Sequence, residues 1–185
     1  MKNIHSVLTL FVFIIFCGNT IAQKNSGTLQ KVIIIRHGEK PQNGDNLSCQ
    51  GFNRSVELPA VLYAKFKTPD YIFTAAPKEG KSTNAARMFE TIIPYAVKYN
   101  LNIDTRFFVE DTKGVATAIM KKSGTVLVVW EHNHIIEIVK ALGIVDANLK
   151  WKDSDFDSIW IITFQNGKAT LTTDKENLQP SDVCK

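Results

Sequence analysis

Lys31-Val-Ile-Ile-Ile-Arg36 carries four consecutive β-branched residues, and His37-Gly38-Glu39-Lys40-Pro41 follows it directly. Strict polar alternation is missing, so the run predicts a strand buried on both faces, which needs a covering layer on each side. Downstream of it, Gly38 to Ser48 is polar and turn-rich, and Gln50 to Lys65 predicts a helix with Leu58, Val61 and Leu62 on one face. Asp70–Ala75 predicts a second strand, Ser82–Asn100 a second helix and Asn102–Val109 a third strand. A helix over Thr112–Lys122 follows, then a buried strand over Thr125–Trp130 and a helix over His132–Leu142. Ser158–Phe164 and Lys168–Thr173, joined by Gln165-Asn166-Gly167, predict a terminal hairpin. Strands alternating with helices imply an α/β fold: a three-layer, open, mostly parallel sheet with helices on both faces.

The chain has 185 residues, 44% hydrophobic and 22% charged, with a formal net charge of +4. That length suits one domain with a real core, and the composition excludes collagen-like, low-complexity, disordered and disulfide-scaffold classes. Basic residues are scattered rather than blocked, so no nucleic-acid partner is expected.

Residues 1–22 differ in kind from the rest. Lys2 begins the segment, Val7 to Phe16 is almost wholly apolar, and Thr20-Ile21-Ala22 fits a cleavage site. We therefore expect a signal peptide over 1–22 and a single domain over 23–185, secreted or periplasmic, with no membrane span in the mature chain. An uncleaved anchor is the alternative, and Phe16 argues against lipidation of Cys17. Cleavage leaves Cys49 and Cys184, as a bridge or as two buried thiols. Asn46 and Asn53 head glycosylation sequons that matter only in a eukaryotic secretory pathway.

Chemistry gathers at the predicted strand ends, where α/β sheets bind ligands. The first strand ends in Arg36-His37-Gly38-Glu39, and a later one in Glu131-His132-Asn133-His134. Gly38 permits a sharp turn and close approach to a ligand. Arg36 presents a planar fork suited to phosphate oxygens, and its charge favours a neutral neighbouring imidazole. Neutral imidazole is the nucleophilic form. These residues describe an anion site with a histidine able to attack phosphorus.

Val32-Ile-Ile-Ile-Arg-His-Gly-Glu39 resembles the signature of the histidine phosphatase superfamily, the branch with an Arg-His-Gly-Glu motif, and the resemblance spans roughly residues 31 to 165. It implies His37 as the phosphorylated nucleophile and Arg36 as a phosphate ligand. Arg87-Met-Phe-Glu-Thr91 is similar to the segment holding the second arginine, and His132 to the second histidine. Asn133 and His134 depart from the small residues usual there, and His134 is a minor rival to His132. Arg106-Phe-Phe-Val-Glu110 looks like the segment supplying the proton donor, which makes Glu110 the expected donor, with Asp111 and Glu131 as runners-up. Lys40 is either a further phosphate contact or a solvated loop lysine.

Two competing patterns are weaker. Ala75-Ala-Pro-Lys-Glu-Gly-Lys-Ser82 ends like the phosphate-cradling loop of nucleotide hydrolases, but Ala75 replaces its first glycine, Pro77 removes an amide donor and Glu79 adds negative charge. Lys78, Lys81 and Ser82 then belong to a solvated helix start or, preceding Arg87 on the same rim, reach substrate. A metal site built from Glu131, His132 and His134 lacks further ligands. The expected activity is a metal-independent phosphomonoester hydrolase acting on a small phosphorylated substrate, with no cofactor. The alternative is a secreted, catalytically weak protein that binds phosphorylated ligands in the same pocket. Trp130, Trp151 and Trp160 are core or pocket residues, and the loops at 41–48 and 148–157 carry no readable specificity code.

Overall fold

The run at Lys31–Arg36 lies in the fourth strand of a six-stranded sheet, inside a computed structural model that describes residues 28–78 and 85–184. The expected signal segment lies outside the described residues. In chain order the elements are β1 (Leu29–Arg36), α1 (Cys49–Phe66), β2 (Tyr71–Ala75), α2 (Arg87–Tyr99) and β3 (Ile103–Phe107). Then come α3 (Thr112–Met120), β4 (Gly124–Trp130), α4 (His132–Ala141), β5 (Ser158–Gln165) and β6 (Lys168–Lys175). The sheet order is β3-β2-β4-β1-β5-β6. The first four of these strands are mutually parallel, and the β5–β6 hairpin pairs antiparallel to β1. The mixed, mostly parallel sheet agrees with the expected fold class.

Val32, Ile33, Ile34 and Ile35 are buried because β1 is flanked by β4 and β5 and covered on both faces. Each such side chain contributes roughly 1.5–3 kcal/mol on removal from water. From β1 the chain crosses towards the β3 edge, then returns to place β4 between β2 and β1. Because such crossovers are right-handed, reversing direction moves the connecting helix to the other face. Accordingly α1 packs with α2, and α3 with α4. The helices leaving the adjacent strands β1 and β4 therefore part to opposite sides at the carboxyl ends of those two strands, the place where open α/β sheets commonly bind ligands.

Several boundaries differ from expectation. The second helix was expected from Ser82 but begins at Arg87, because Ala85 is left-handed (φ 56°) and Ala86 is the cap. Residues 79–84, including Lys81 and Ser82, lie outside the described residues. β3 is shorter than expected, since Phe108 to Glu110 leave the sheet. The β5–β6 turn is Asn166-Gly167, both at positive φ, as a tight hairpin requires. All three tryptophans are core residues: Trp130 is buried in β4, and Trp151 lies tilted against Trp160 with ring centres 4.7 Å apart. Among the described residues no helix is long and apolar enough to cross a membrane.

A C-terminal tail follows β6 and returns to α1. Asn53 donates to the carbonyls of Ser181 and Val183, and Cys49 and Cys184 form a disulfide. Asn53 is only 2% exposed, so of the two sequons only the one at the exposed Asn46 is open to an enzyme. The disulfide links positions 135 residues apart, and cross-links of that span restrict the unfolded chain strongly. We expect Cys184→Ser to lower stability by about 2–5 kcal/mol in thermal unfolding, and a thiol reductant to destabilise the native chain but not this variant.

Candidate active site

β1 delivers Arg36 and His37 to this end of the sheet, both only 2% exposed. The His37 amide donates to the Trp130 carbonyl at 3.1 Å, which carries the β1–β4 ladder one residue past the strand. The His37 backbone is thereby fixed beside the start of α4. The next residue is held from two sides. The Gly38 amide donates to Thr91 Oγ1 (2.9 Å), and Thr91 in turn donates to the Arg87 carbonyl (2.6 Å) in the first turn of α2. A Cβ on Gly38 would lie 2.9 Å from the Gly51 carbonyl oxygen of α1, and one on Gly51 would collide with the Glu39 carbonyl. Gly38 thus serves a close backbone approach to α1, and it is not at positive φ.

His37 Nδ1 lies 2.7 Å from the Gly38 carbonyl oxygen. A carbonyl only accepts, so Nδ1 carries the proton and Nε2 keeps its lone pair. Burial, together with the charges of Arg36 and Arg87, pushes the imidazole pKa down to about 3 against the Gly38 hydrogen bond. The ring is therefore a neutral base with Nε2 available.

Around it stand Arg36, Arg87 and His132, whose fields all act on His37. Arg36 Nη1 donates to the carbonyls of Asp153 (2.6 Å) and Asp155 (3.2 Å), and its guanidinium carbon sits 3.8 Å from the centre of the Phe156 ring. The same ring meets His37 edge-on at 6.1 Å. Burial lowers the Arg36 pKa to about 10, which still leaves it charged at neutral pH. Arg87 opens α2, with Nη1 donating to the Gly44 carbonyl and lying 3.6 Å from Asp45. His132 opens α4, with Nε2 3.2 Å from Asp153 Oδ1 and a pKa lowered first by burial and then by Arg36. His132 Nδ1 is 2.9 Å from Glu131 Oε1 but off the line a hydrogen bond needs. Arg36 Nε, Arg87 Nε and His132 Nδ1 are buried without a hydrogen-bond partner among the described residues. Buried polar groups are nearly always paired, so three unpaired ones around one imidazole make this a candidate site for a hydrogen-bonding ligand.

Four of the five expected site residues, Arg36, His37, Arg87 and His132, are brought together. Glu110 does not share a cavity with these four, and it lies close enough to His134 for that side chain's charge to act on it. Its carboxylate is 59% exposed and ion-paired with Lys78 at 2.7 Å, which holds it below the usual carboxylate range. It borders a cavity of about 720 Å3 with Lys78, Arg106 and Phe108, and none of the other four lines that cavity. Among the runners-up, Asp111 caps α3 by accepting from the Gly114 amide. Glu131 caps α4 and also accepts from His134 Nδ1 at 2.8 Å, so His134 faces Glu131. Lys40 is exposed, and no group of three or more metal-ligating side chains occurs among the described residues. Sequence reasoning missed Asp153, Asp155 and Phe156, in a loop with no periodicity to betray its destination.

Fold and site geometry can now be set beside known proteins. A protein histidine phosphatase, SixA, complexed with tungstate matches with a TM-score of 0.58 and 14% identity, over 79% of this chain and 97% of that one. The chain has the fold of the histidine phosphatases. Also similar is a mutant phosphoserine phosphatase from Entamoeba histolytica in complex with phosphoserine (TM-score 0.53, 14% identity, covering 80% of this chain and 96% of that one). A mycobacterial glucosyl-3-phosphoglycerate phosphatase with inorganic phosphate matches at a TM-score of 0.52 and 12% identity, over 78% of this chain and 95% of that one. No family model and no curated protein matches the sequence.

Within this histidine phosphatase fold, the loop after His37 is braced by a buried charge cluster. Arg54 of α1 donates bidentately to Glu39 and through Nη1 to Glu176 of the C-terminal tail. Burial, with the nearby charges of Asp157 and Glu39, pushes the Glu176 pKa up to about 8 despite Arg54, and Glu176 Oε1 has no hydrogen-bond partner. Between about pH 6.5 and 8 the folded chain keeps a proton on Glu176 that the unfolded chain has already released, so stability falls as pH rises. The window starts above the ordinary histidine value because His37 produces the opposite slope below it. We expect a loss of about 2 kcal/mol across it in denaturant titrations, and a flat profile for Glu176→Gln.

Proposed function

We propose that this chain is a phosphomonoester hydrolase working through a phosphohistidine on His37. The observation that carries this reading is the neutral His37 imidazole with Nε2 free, ringed by Arg36, Arg87 and His132, each with a buried, unpaired N–H or ring nitrogen. Nε2 attacks phosphorus in line with the ester oxygen, the N–P bond forms, and the P–O bond to the alcohol breaks. Arg36, Arg87 and His132 hold the equatorial oxygens, where negative charge is spread in the transition state. Water then attacks the phosphohistidine, releasing inorganic phosphate and restoring neutral His37. The substrate is a small phosphorylated molecule met in the periplasm or outside the cell, consistent with the signal-like segment at 1–22.

We expect hydrolysis of an aryl phosphate that resists EDTA, is inhibited by vanadate and falls to background in His37→Ala. Full activity in that variant ends the assignment. Arg87→Ala should weaken vanadate inhibition about 10- to 100-fold, the size of one lost charge-assisted hydrogen bond. Since His37 stays neutral far below the ordinary histidine range, kcat/KM should show no loss of the nucleophile near pH 6.5.

One observation favours a second reading, a phospho-ligand binding protein of weak activity: the expected donor Glu110 is occupied by Lys78. Trapping an acid-labile phosphoenzyme separates the two.

A further inference from the structure

The reaction proposed above needs a proton for the departing alcohol, and the carboxylates near the site can be weighed one by one. Glu110 is paired with Lys78, and Asp111 is spent on a helix cap. Glu131 caps α4 and faces two histidines, while Glu39 is held bidentately by Arg54. The carboxylate of Asp155 accepts from the Asp157 and Ser158 amides and from the Ser158 hydroxyl, contacts that keep it ionised. Asp45 lies 3.6 Å from Arg87, beyond hydrogen-bond reach.

Asp153 differs from all of these. Its main-chain carbonyl is clamped by Arg36 Nη1 at 2.6 Å, so the residue is tied to the guanidinium expected to grip phosphate. Its carboxylate is 90% exposed, and its one close partner is His132 Nε2 at 3.2 Å. The backbone is thus fixed at the site while the side chain stays free to accept and deliver a proton. We infer, on the reading given above, that Asp153 is the catalytic acid and base: it protonates the leaving oxygen and then takes a proton from the attacking water. A phosphoryl dianion seated on Arg36 and His132 brings negative charge against this carboxyl, and like charge favours its protonated form. The proton moves to the ester oxygen as the P–O bond breaks, leaving a carboxylate. That carboxylate accepts the proton of the water that cleaves the N–P bond, and the cycle balances.

The test compares kcat/KM, which reports the step that releases the alcohol, for p-nitrophenyl phosphate and for an alkyl phosphate. A nitrophenolate leaves without a proton, and an alkoxide does not. Asp153→Asn should stay within a few-fold of the native chain on the aryl ester and fall about 10²- to 10⁴-fold on the alkyl ester. Vanadate should still inhibit the variant, showing that the pocket is intact. Equal losses on both esters, no loss on either, loss of vanadate inhibition, or the selective pattern appearing in Glu110→Gln or Asp45→Asn instead would each overturn the assignment. Failure of the underlying reading looks different: the native chain forms no phosphoenzyme, or His37→Ala keeps full activity.

Discussion

Parallel pairing of β1 with β4 brings two distant chain segments to a common end, and the hydrogen bond from the His37 amide to the Trp130 carbonyl closes that ladder. Arg36 and Trp130 are register partners, so His37, one residue past β1, and His132, two residues past β4, emerge at the same end of the sheet. The pairing holds because both strands are apolar on both faces and lie under helices on each side. A shift of one residue would carry His37 away from the start of α4 and turn Arg36 into the wrong layer. The active-site geometry is therefore a consequence of core burial before any polar contact is made.

Polar contacts then refine what the core has placed. A buried arginine is costly unless its N–H groups are satisfied, and Arg36 meets that cost with the carbonyls of Asp153 and Asp155 and the face of Phe156. One face of the guanidinium is thereby occupied, and Nε is left for a ligand. The loop after His37 is secured from α2 through Thr91 and from α1 through the Gly38–Gly51 approach and the Glu39–Arg54 pair. The C-terminal tail reaches this brace through Glu176.

Legibility in the sequence followed how local each determinant was. The β-branched run at 32–35 and the helical spacing of Ile135, Ile138 and Val139 are periodic signals, and the elements formed where those signals lay. Arg36, His37, Arg87 and His132 were readable because each stands at the first or last residue of an element or next to it. Glu110 followed the same positional logic, but the ion pair with Lys78 is a matter of side-chain reach across 32 residues and leaves no trace in spacing. The contact between Arg36 and Asp153 spans 117 residues and uses a main-chain carbonyl, for which every residue type is equivalent. The start of α2 was misplaced because a left-handed alanine at position 85 has no compositional signature. Cysteine count alone left the pairing of Cys49 with Cys184 open, since nothing in the sequence says that the tail returns to α1.

The position of β1 in the sheet also bears on when His37 reaches its native surroundings. His37 lies near the beginning of the chain, yet its strand is wedged between β4 and β5, which start at Gly124 and Ser158. During synthesis from the N-terminus, His37 is thus among the first described residues to be made and among the last to be enclosed. A nascent or truncated chain exposes His37 to water as an ordinary histidine, without the burial that keeps it neutral or the arginines that surround it. The surroundings that keep His37 neutral are in this way withheld until the whole sheet has closed.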